Sequence, residues 1–402
     1  MFNISIEQKV LMKALEYLEP TVGKNASGLG DNCIAMKTTG NGSVEMYTTN
    51  TLEFTKLEAI VAVGGAGTNS VDTAPYVDFK RFKSIIASIP ANEVVSLEAN
   101  VNDLLINFAL KKVPIRLVGC TNGMIPLPTN QFPTSTQITV PKSVVKTAID
   151  NVSSIIIDST AAPIYNCMRI YTVNTNVEFT ALDMTGKRTF CWSTQATNNN
   201  PTTDILVEVS KLKKSIKIFE DFNELEFNMD NSVICINGSD MVQYGQKTQG
   251  MITGISYYAR RINGAFPSNI KTAFDPLPSE FAEINMEELK GSLARVKAIE
   301  DQTTGGQISF EVSGNTCTIT LNSGYGNIED DITLDNSVSQ SFKTIFKYDH
   351  LSDIMKVVGG DILEIGILPN HPANYVIKSK GSSTGVLFTI PGLVGASASA
   401  QP

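Results

Sequence analysis

Phe2-Asn3-Ile4-Ser5-Ile6 runs directly into Glu7-Gln8-Lys9-Val10-Leu11-Met12-Lys13-Ala14-Leu15-Glu16-Tyr17-Leu18. The first five residues alternate apolar and polar, the period of a half-buried strand. The next twelve set Val10, Leu11, Ala14, Leu15 and Leu18 on one helical face, with Lys9 and Lys13 at i,i+4 spacing on another. The same join recurs at Tyr76-Val77-Asp78-Phe79, Gln137-Ile138-Thr139-Val140, Ile205-Leu206-Val207-Glu208-Val209, Ala282-Glu283-Ile284-Asn285-Met286 and Thr344-Ile345-Phe346-Lys347-Tyr348. From Ile4 through Val77, Ile138, Ile205 and Ile284 to Ile345 the steps are 73, 61, 67, 79 and 61 residues. Between the helices, alternating runs such as Val94–Glu98, Leu104–Phe108, Val233–Ile236 and Cys317–Leu321 are bounded by Asn, Gly or Asp and read as strands. A supersecondary unit repeated at a near-constant period implies a repeat architecture. The expected fold is α+β, built from six β-α-β-β-β half-repeats.

A chain of 402 residues, 42% of them hydrophobic, is too long for a single core. Two proline-punctuated stretches, Ile125-Pro126-Leu127-Pro128 through Phe132-Pro133-Thr134 and Phe274-Asp275-Pro276-Leu277-Pro278, fall just before the third and fifth repeats. They predict three domains of two repeats each, at 1–133, 134–278 and 279–394, with residues 395–402 a disordered tail. No apolar run reaches membrane-spanning length, and the N-terminus lacks the layout of a signal peptide, so a cytoplasmic protein is expected. Six scattered cysteines, no CxxC and two histidines argue against zinc and disulfide frameworks. No P-loop, GxSxG or HExxH pattern is present, and Gly64-Gly65-Ala66-Gly67 lacks the Lys-Ser/Thr of a phosphate-cradling loop. A protein without catalytic site, metal or cofactor is the expectation.

The net charge of −8 argues at first against nucleic acid. Its distribution reverses that argument. Helix windows 7–18, 78–89, 141–152, 209–220, 286–298 and 347–358 hold 16 of the 32 Lys+Arg but only 9 of the 40 Asp+Glu. The windows carry +7 and the remainder −15. Basic helices on an inner face and acidic strands outside would make a surface for a phosphate backbone, sequence-independent and salt-sensitive. Helices are about 10 Å wide, so six would close on too narrow a bore for duplex DNA while twelve leave room. Six repeats per chain therefore imply a closed homodimer joined head to tail. The charge pattern nominates Lys9, Lys13, Lys80, Arg81, Lys83, Lys142, Lys146, Lys211, Lys214 and Lys217 as DNA contacts.

Several segments resemble the bacterial sliding clamp family, the beta subunit of DNA polymerase III. Met1 to Lys24, closing on Val22-Gly23-Lys24, has the family's strand, helix and Gly-basic turn. Phe179-Thr180-Ala181-Leu182-Asp183-Met184-Thr185-Gly186-Lys187-Arg188 resembles its strand ending in Thr-Asp-Gly-His-Arg. Arg261-Ile262-Asn263-Gly264-Ala265-Phe266-Pro267 and the closing Val386-Leu387-Phe388-Thr389-Ile390-Pro391-Gly392-Leu393 resemble two more of its motifs, in order along residues 1–394. The resemblance implies three similar domains per chain, a dimeric ring around double-stranded DNA, and a peptide groove between the second and third domains for the polymerase and clamp loader. By position it adds Lys24 to the DNA contacts. It assigns the groove to Tyr165, Met168, Thr185, Gly186, Lys187, Arg188, Pro267, Lys271, Phe388, Ile390 and Pro391. Thr185 and Lys187 replace the family's Asp and His, so peptide preference is expected to differ, and a phage or mobile-element replisome is as compatible as a host chromosome. The competing reading is a non-enzymatic β-rich interaction or structural protein, which would not require basic charge gathered in six equivalent helices.

Overall fold

The computed structural model describes residues 2–23, 31–39, 42–50, 52–63, 76–99, 103–110, 113–118, 137–153, 156, 162–183, 189–229, 233–241, 251–262, 266–267, 274, 276–300, 306–381 and 387–391. The first segment holds β1 (Asn3–Glu7), α1 (Gln8–Leu18), β2 (Cys33–Thr38), β3 (Ser43–Thr49), β4 (Glu53–Ile60) and β5 (Ala62–Val63). After these come β6 (Tyr76–Asp78), α2 (Phe79–Ala87), β7 (Val94–Ala99), β8 (Asp103–Asn107) and β9 (Ile115–Val118). The middle segment contributes β10 (Gln137–Pro141), α3 (Lys142–Val152), β11 (Cys167–Leu182), β12 (Thr189–Glu208) and α4 (Val209–Ile218). It ends with β13 (Phe222–Met229), β14 (Val233–Met241) and β15 (Met251–Arg260). The last comprises β16 (Ala282–Asn285), α5 (Met286–Ile299), β17 (Gln307–Ser323), β18 (Gly326–Lys347), α6 (Tyr348–Val358), β19 (Ile362–Leu368), β20 (His371–Ser379) and β21 (Leu387–Pro391).

All six expected helices form, each entered directly from a strand. The join has a recurrent tether. The first helical N–H donates to a carbonyl that precedes another strand of the same repeat pair: Gln8 to Glu93 at 2.9 Å, Phe79 to Asn32 at 2.9 Å, Met286 to Asp361 at 2.8 Å and Tyr348 to Gly306 at 2.6 Å. One otherwise orphan helix donor is thereby satisfied, and the strand's exit angle is set. Asp78 and Asn285 add side-chain caps, accepting from Arg81 N at 2.9 Å and from Glu287 N and Glu288 N at 3.0 and 3.1 Å. The sequence treats β11–β12 and β17–β18 as shorter pieces. In the structure they are long antiparallel hairpins, bent at irregular register near Thr172–Asn176 and Val312–Thr316. The bends let one pair of strands serve two half-repeats.

Strand pairing runs across the segments marked by proline. β15 pairs with β4, and β21 inserts between β12 and β20. The chain accordingly separates into two compact units, Met1–Val144 with Ser210–Arg261, and Val145–Val209 with Ile262–Pro402. The first unit carries a five-stranded sheet, β5-β1-β7-β8-β9, and an eight-stranded sheet, β10-β13-β14-β15-β4-β3-β2-β6. Its core includes Leu11, Leu15, Phe82, Ile86, Leu57, Met46, Ile236 and Tyr257, all fully buried. The second unit carries a six-stranded sheet, β11-β12-β21-β20-β19-β16, and the β17–β18 hairpin. It is filled by Phe179, Phe190, Ile284, Leu289, Phe310, Phe346, Leu363 and Ile377.

Candidate nucleic-acid interface and peptide cleft

The helix lysines sort into two groups. Lys13 Nζ lies 2.6 Å from Glu220 and 2.8 Å from Asp221, in the turn after α4, and over the Tyr17 ring at 4.9 Å. Tyr17 donates to the same Asp221, and Lys142 donates to the Glu220 carbonyl. Partial burial works against the Lys13 charge, but the two carboxylates outweigh it and hold the ammonium well above its ordinary pKa. Lys83 pairs with Glu19 at 2.8 Å, Lys214 pairs with Glu53, and Lys211 donates to the Arg260 carbonyl at 2.8 Å. Lys9 is exposed and pairs with Glu7 at 2.9 Å. Lys80, Arg81, Lys146 and Lys217 are exposed, and their side chains make no ion pair with a described residue. Lys24 lies outside the described residues, but its neighbour Gly23 is described. Gly23 N donates to Asp31 O at 2.6 Å, and a Cβ on Gly23 would stand 2.8 Å from that of Asp31.

A second feature lies within the other unit. Leu182, Cys191, Phe274, Leu368 and Val376 form an apolar cluster, with Tyr165, Phe266 and Phe281 half-buried against it. β21 is central to it, because Thr389 stands in register with both Thr189 and Val376, and Leu387 with Cys191. Phe388 is in register with the fully buried Phe190 and Ile377, and Ile390 with Tyr375. Of the expected groove residues, Tyr165 borders the cluster, Pro267 is exposed beside Phe266, and Met168 is completely buried. Thr185, Gly186, Lys187, Arg188 and Lys271 lie outside the described residues. For Phe388, Ile390 and Pro391 only the strand pairing is described. The sequence reading passed over Leu182, Cys191, Phe274, Phe281, Leu368 and Val376. Alternation marks such residues as buried, but nothing local tells a cleft wall from a core.

Phe281 is held from two sides. Lys378 Nζ stands 4.3 Å over its ring and pairs with Glu364 at 2.8 Å. The neighbouring Glu280 carboxylate accepts from Ser339 N at 2.9 Å, Ser339 Oγ at 2.8 Å and Gln340 N at 3.1 Å. The Ser339 amide and hydroxyl and the Gln340 amide favour the charged form, so its pKa falls below the usual carboxylate value. Asn336 Nδ2 donates to Phe281 O at 2.7 Å, completing the strap.

The first unit has a counterpart to this row. Val376, Thr389, Thr189 and Leu182 stand side by side across four strands, as Cys235, Tyr258, Phe54 and Thr49 do there. Where the second unit has two threonines, the first has Tyr258 and Phe54, ring centroids 5.4 Å apart, with Tyr47 stacked on Phe54 at 5.5 Å. Tyr258 and Phe54 take the register positions in the first unit that Thr389 and Thr189 hold in the second.

Repeated strand–helix joins, a strand from one segment completing the sheet of the preceding one, and an apolar cluster at that seam define a clamp-type α+β protein. The fold is that of the bacterial sliding clamps. The DNA polymerase III beta chain of Streptococcus pneumoniae is similar with a TM-score of 0.78 and 16% identity, covering 98% of this chain and 100% of that one. The beta subunit of Streptococcus pyogenes gives 0.77 and 17%, covering 97% and 99%. The sliding clamp of Bacillus subtilis gives 0.78 and 14%, covering 98% and 100%. In sequence, the chain is 25% identical over 176 residues to the beta sliding clamp of Lactococcus lactis subsp. lactis (strain IL1403). That alignment takes in 41% of this chain and 43% of the relative. No protein-family model matches.

Proposed function

We propose that this chain is a DNA sliding clamp, a non-enzymatic processivity factor that encircles duplex DNA and tethers a polymerase. The reading takes the chain as three domains of two repeats each, closed into a ring by a second copy. The observation that carries it is an incomplete set of seams. β15 joins β4 and β21 joins β12, each the last strand of one domain against the fourth strand-piece of the preceding one. By the same count β9 and the first half of β18 should pair, and among the described residues each has one unpaired edge. β9 and the turn before it expose Leu110, Val113 and Val118 at 71, 70 and 72%, an unusual apolar display for a sheet edge. The β18 edge bears Glu329, Asp331 and Asp335, an acidic fringe beside the exposed apolar residues it would meet. A second copy, head to tail, satisfies both edges.

The apolar cluster around Leu182 and Val376 fits a short peptide carrying apolar anchors, the means by which a polymerase and a loader would attach. Exposed helix cations fit a phosphate backbone. Among the described residues no helix is long and apolar enough to cross a membrane, in keeping with a cytoplasmic site of action. The β-rich structural-subunit reading gains nothing from the fold comparison. Retention on nicked circular DNA after loading, against the same DNA linearised, tests the proposal. A ring stays on the circle and slides off free ends. Equal retention on both sinks it.

A further inference from the structure

We propose that on α4 the lysines that meet DNA phosphates are Lys213 and Lys217, while Lys211 and Lys214 are structural. The inference rests on the sliding-clamp reading and assigns residues within it. α4 buries Leu212, Ser215, Ile218 and Phe219. Lys213 and Lys217 are exposed on the opposite side, and neither makes an ion pair with a described residue. Four helical residues separate them by about 6 Å along the axis. That is under two nucleotide steps at about 3.4 Å per phosphate along one strand. Lys211 and Lys214 flank this stripe and are turned to internal acceptors, the Arg260 carbonyl and the Glu53 carboxylate. The Glu53 side chain is only 9% exposed, so losing Lys214 would strand an almost buried charge.

Attraction to DNA depends on cations that displace condensed counterions from phosphates. A lysine already matched to a carboxylate contributes little of that attraction, whereas a free ammonium contributes one contact. Lysine content alone therefore overstates the DNA-facing charge of α4. The charge pattern nominates Lys211, Lys214 and Lys217 and passes over Lys213, whereas tertiary contacts set Lys213 beside Lys217 and engage the other two.

The test is equilibrium binding of the full chain to a short duplex as salt is varied, with thermal unfolding measured on the same samples. Lys213→Gln with Lys217→Gln should reduce the slope of log K against log salt by about two. Between 50 and 200 mM salt the wild-type affinity should then fall roughly tenfold more than that of this variant. Its unfolding midpoint should not move. Lys211→Gln with Lys214→Gln should keep the wild-type slope and lower the midpoint. If the Lys211/Lys214 variant changes the slope, or the Lys213/Lys217 variant leaves it unchanged while the wild type binds, the assignment is overturned. A wild-type protein without salt-dependent duplex binding overturns the assignment, whereas the clamp reading stands or falls separately on retention by nicked circular against linear DNA.

Discussion

Lys13 shows how far a single side chain can depart from its sequence-level role. On a helical wheel it is a solvent lysine beside Lys9. In the folded chain it is the centre of a cluster with Tyr17 on its own helix and with Glu220 and Asp221, the former 207 residues away in sequence. The Asp221 side chain is 12% exposed, so removing Lys13 leaves a poorly solvated carboxylate. Lys13→Met is expected to destabilise the protein by about 1–3 kcal/mol, read in chemical denaturation. DNA binding should change little. The pH dependence follows from the direction of the shifts. A lysine held above its ordinary pKa contributes fully below that value and loses its contribution only in strong alkali. Burial pushes the Glu45 carboxyl up, but hydrogen bonds from Lys56 and Tyr47 more than reverse it, so it sits below the usual range. Its contribution is complete above the ordinary carboxylate pKa and is lost as pH falls through the depressed value. Stability should be flat from about pH 6 to 9 and decline on the acid side. A decline between pH 7 and 9 contradicts this assignment.

Among the elements, β21 and the strap at residues 280–283 border the apolar cluster proposed as the peptide site. β21 is paired on both sides, so it forms the floor of the seam and cannot be trimmed as a tail. Phe281 is a wall residue that the Glu280 clasp and Lys378 keep in place, and it is only half-buried. Phe281→Ala together with Tyr165→Ala is expected to weaken an apolar-anchored peptide by tenfold or more in fluorescence titration, because each removes most of an aromatic contact. Unfolding should shift only slightly, since neither ring is a core residue. Unchanged affinity would move the cleft elsewhere. The first unit supplies an internal comparison: Phe54 and Tyr258 stack where the second unit has Thr189 and Thr389. Of these two equivalent rows, the ring-filled one is not proposed as a peptide site, and the one with threonines is.

On the proposed reading, the whole molecule acts through ring closure. Among the described residues β9 and β18 each keep an unpaired edge, and the proposed closure pairs the two. Val118→Asp with Val113→Asp should therefore convert a dimer into a folded monomer of 43.5 kDa, measured by light scattering. The same variant should lose its preference for circular DNA. A wild-type protein that is monomeric at micromolar concentration would contradict the proposed closure.

Sequence by itself determined the repeats, the six helices and their bounds to within a few residues, and the gathering of positive charge on those helices. These follow from local periodicity, which a strand and an amphipathic helix write directly into three to twelve neighbouring residues. Tertiary structure alone decided which lysines are free, since Lys13 and Lys214 find acceptors 207 and 161 residues away. It also decided that β21 lies between β12 and β20, and that Leu182 and Val376 gather into one apolar cluster with Phe281 packed against it. Pairing partners and charge neutralisation depend on groups brought together across long stretches of chain, and an alternating strand reads the same whichever neighbour it acquires.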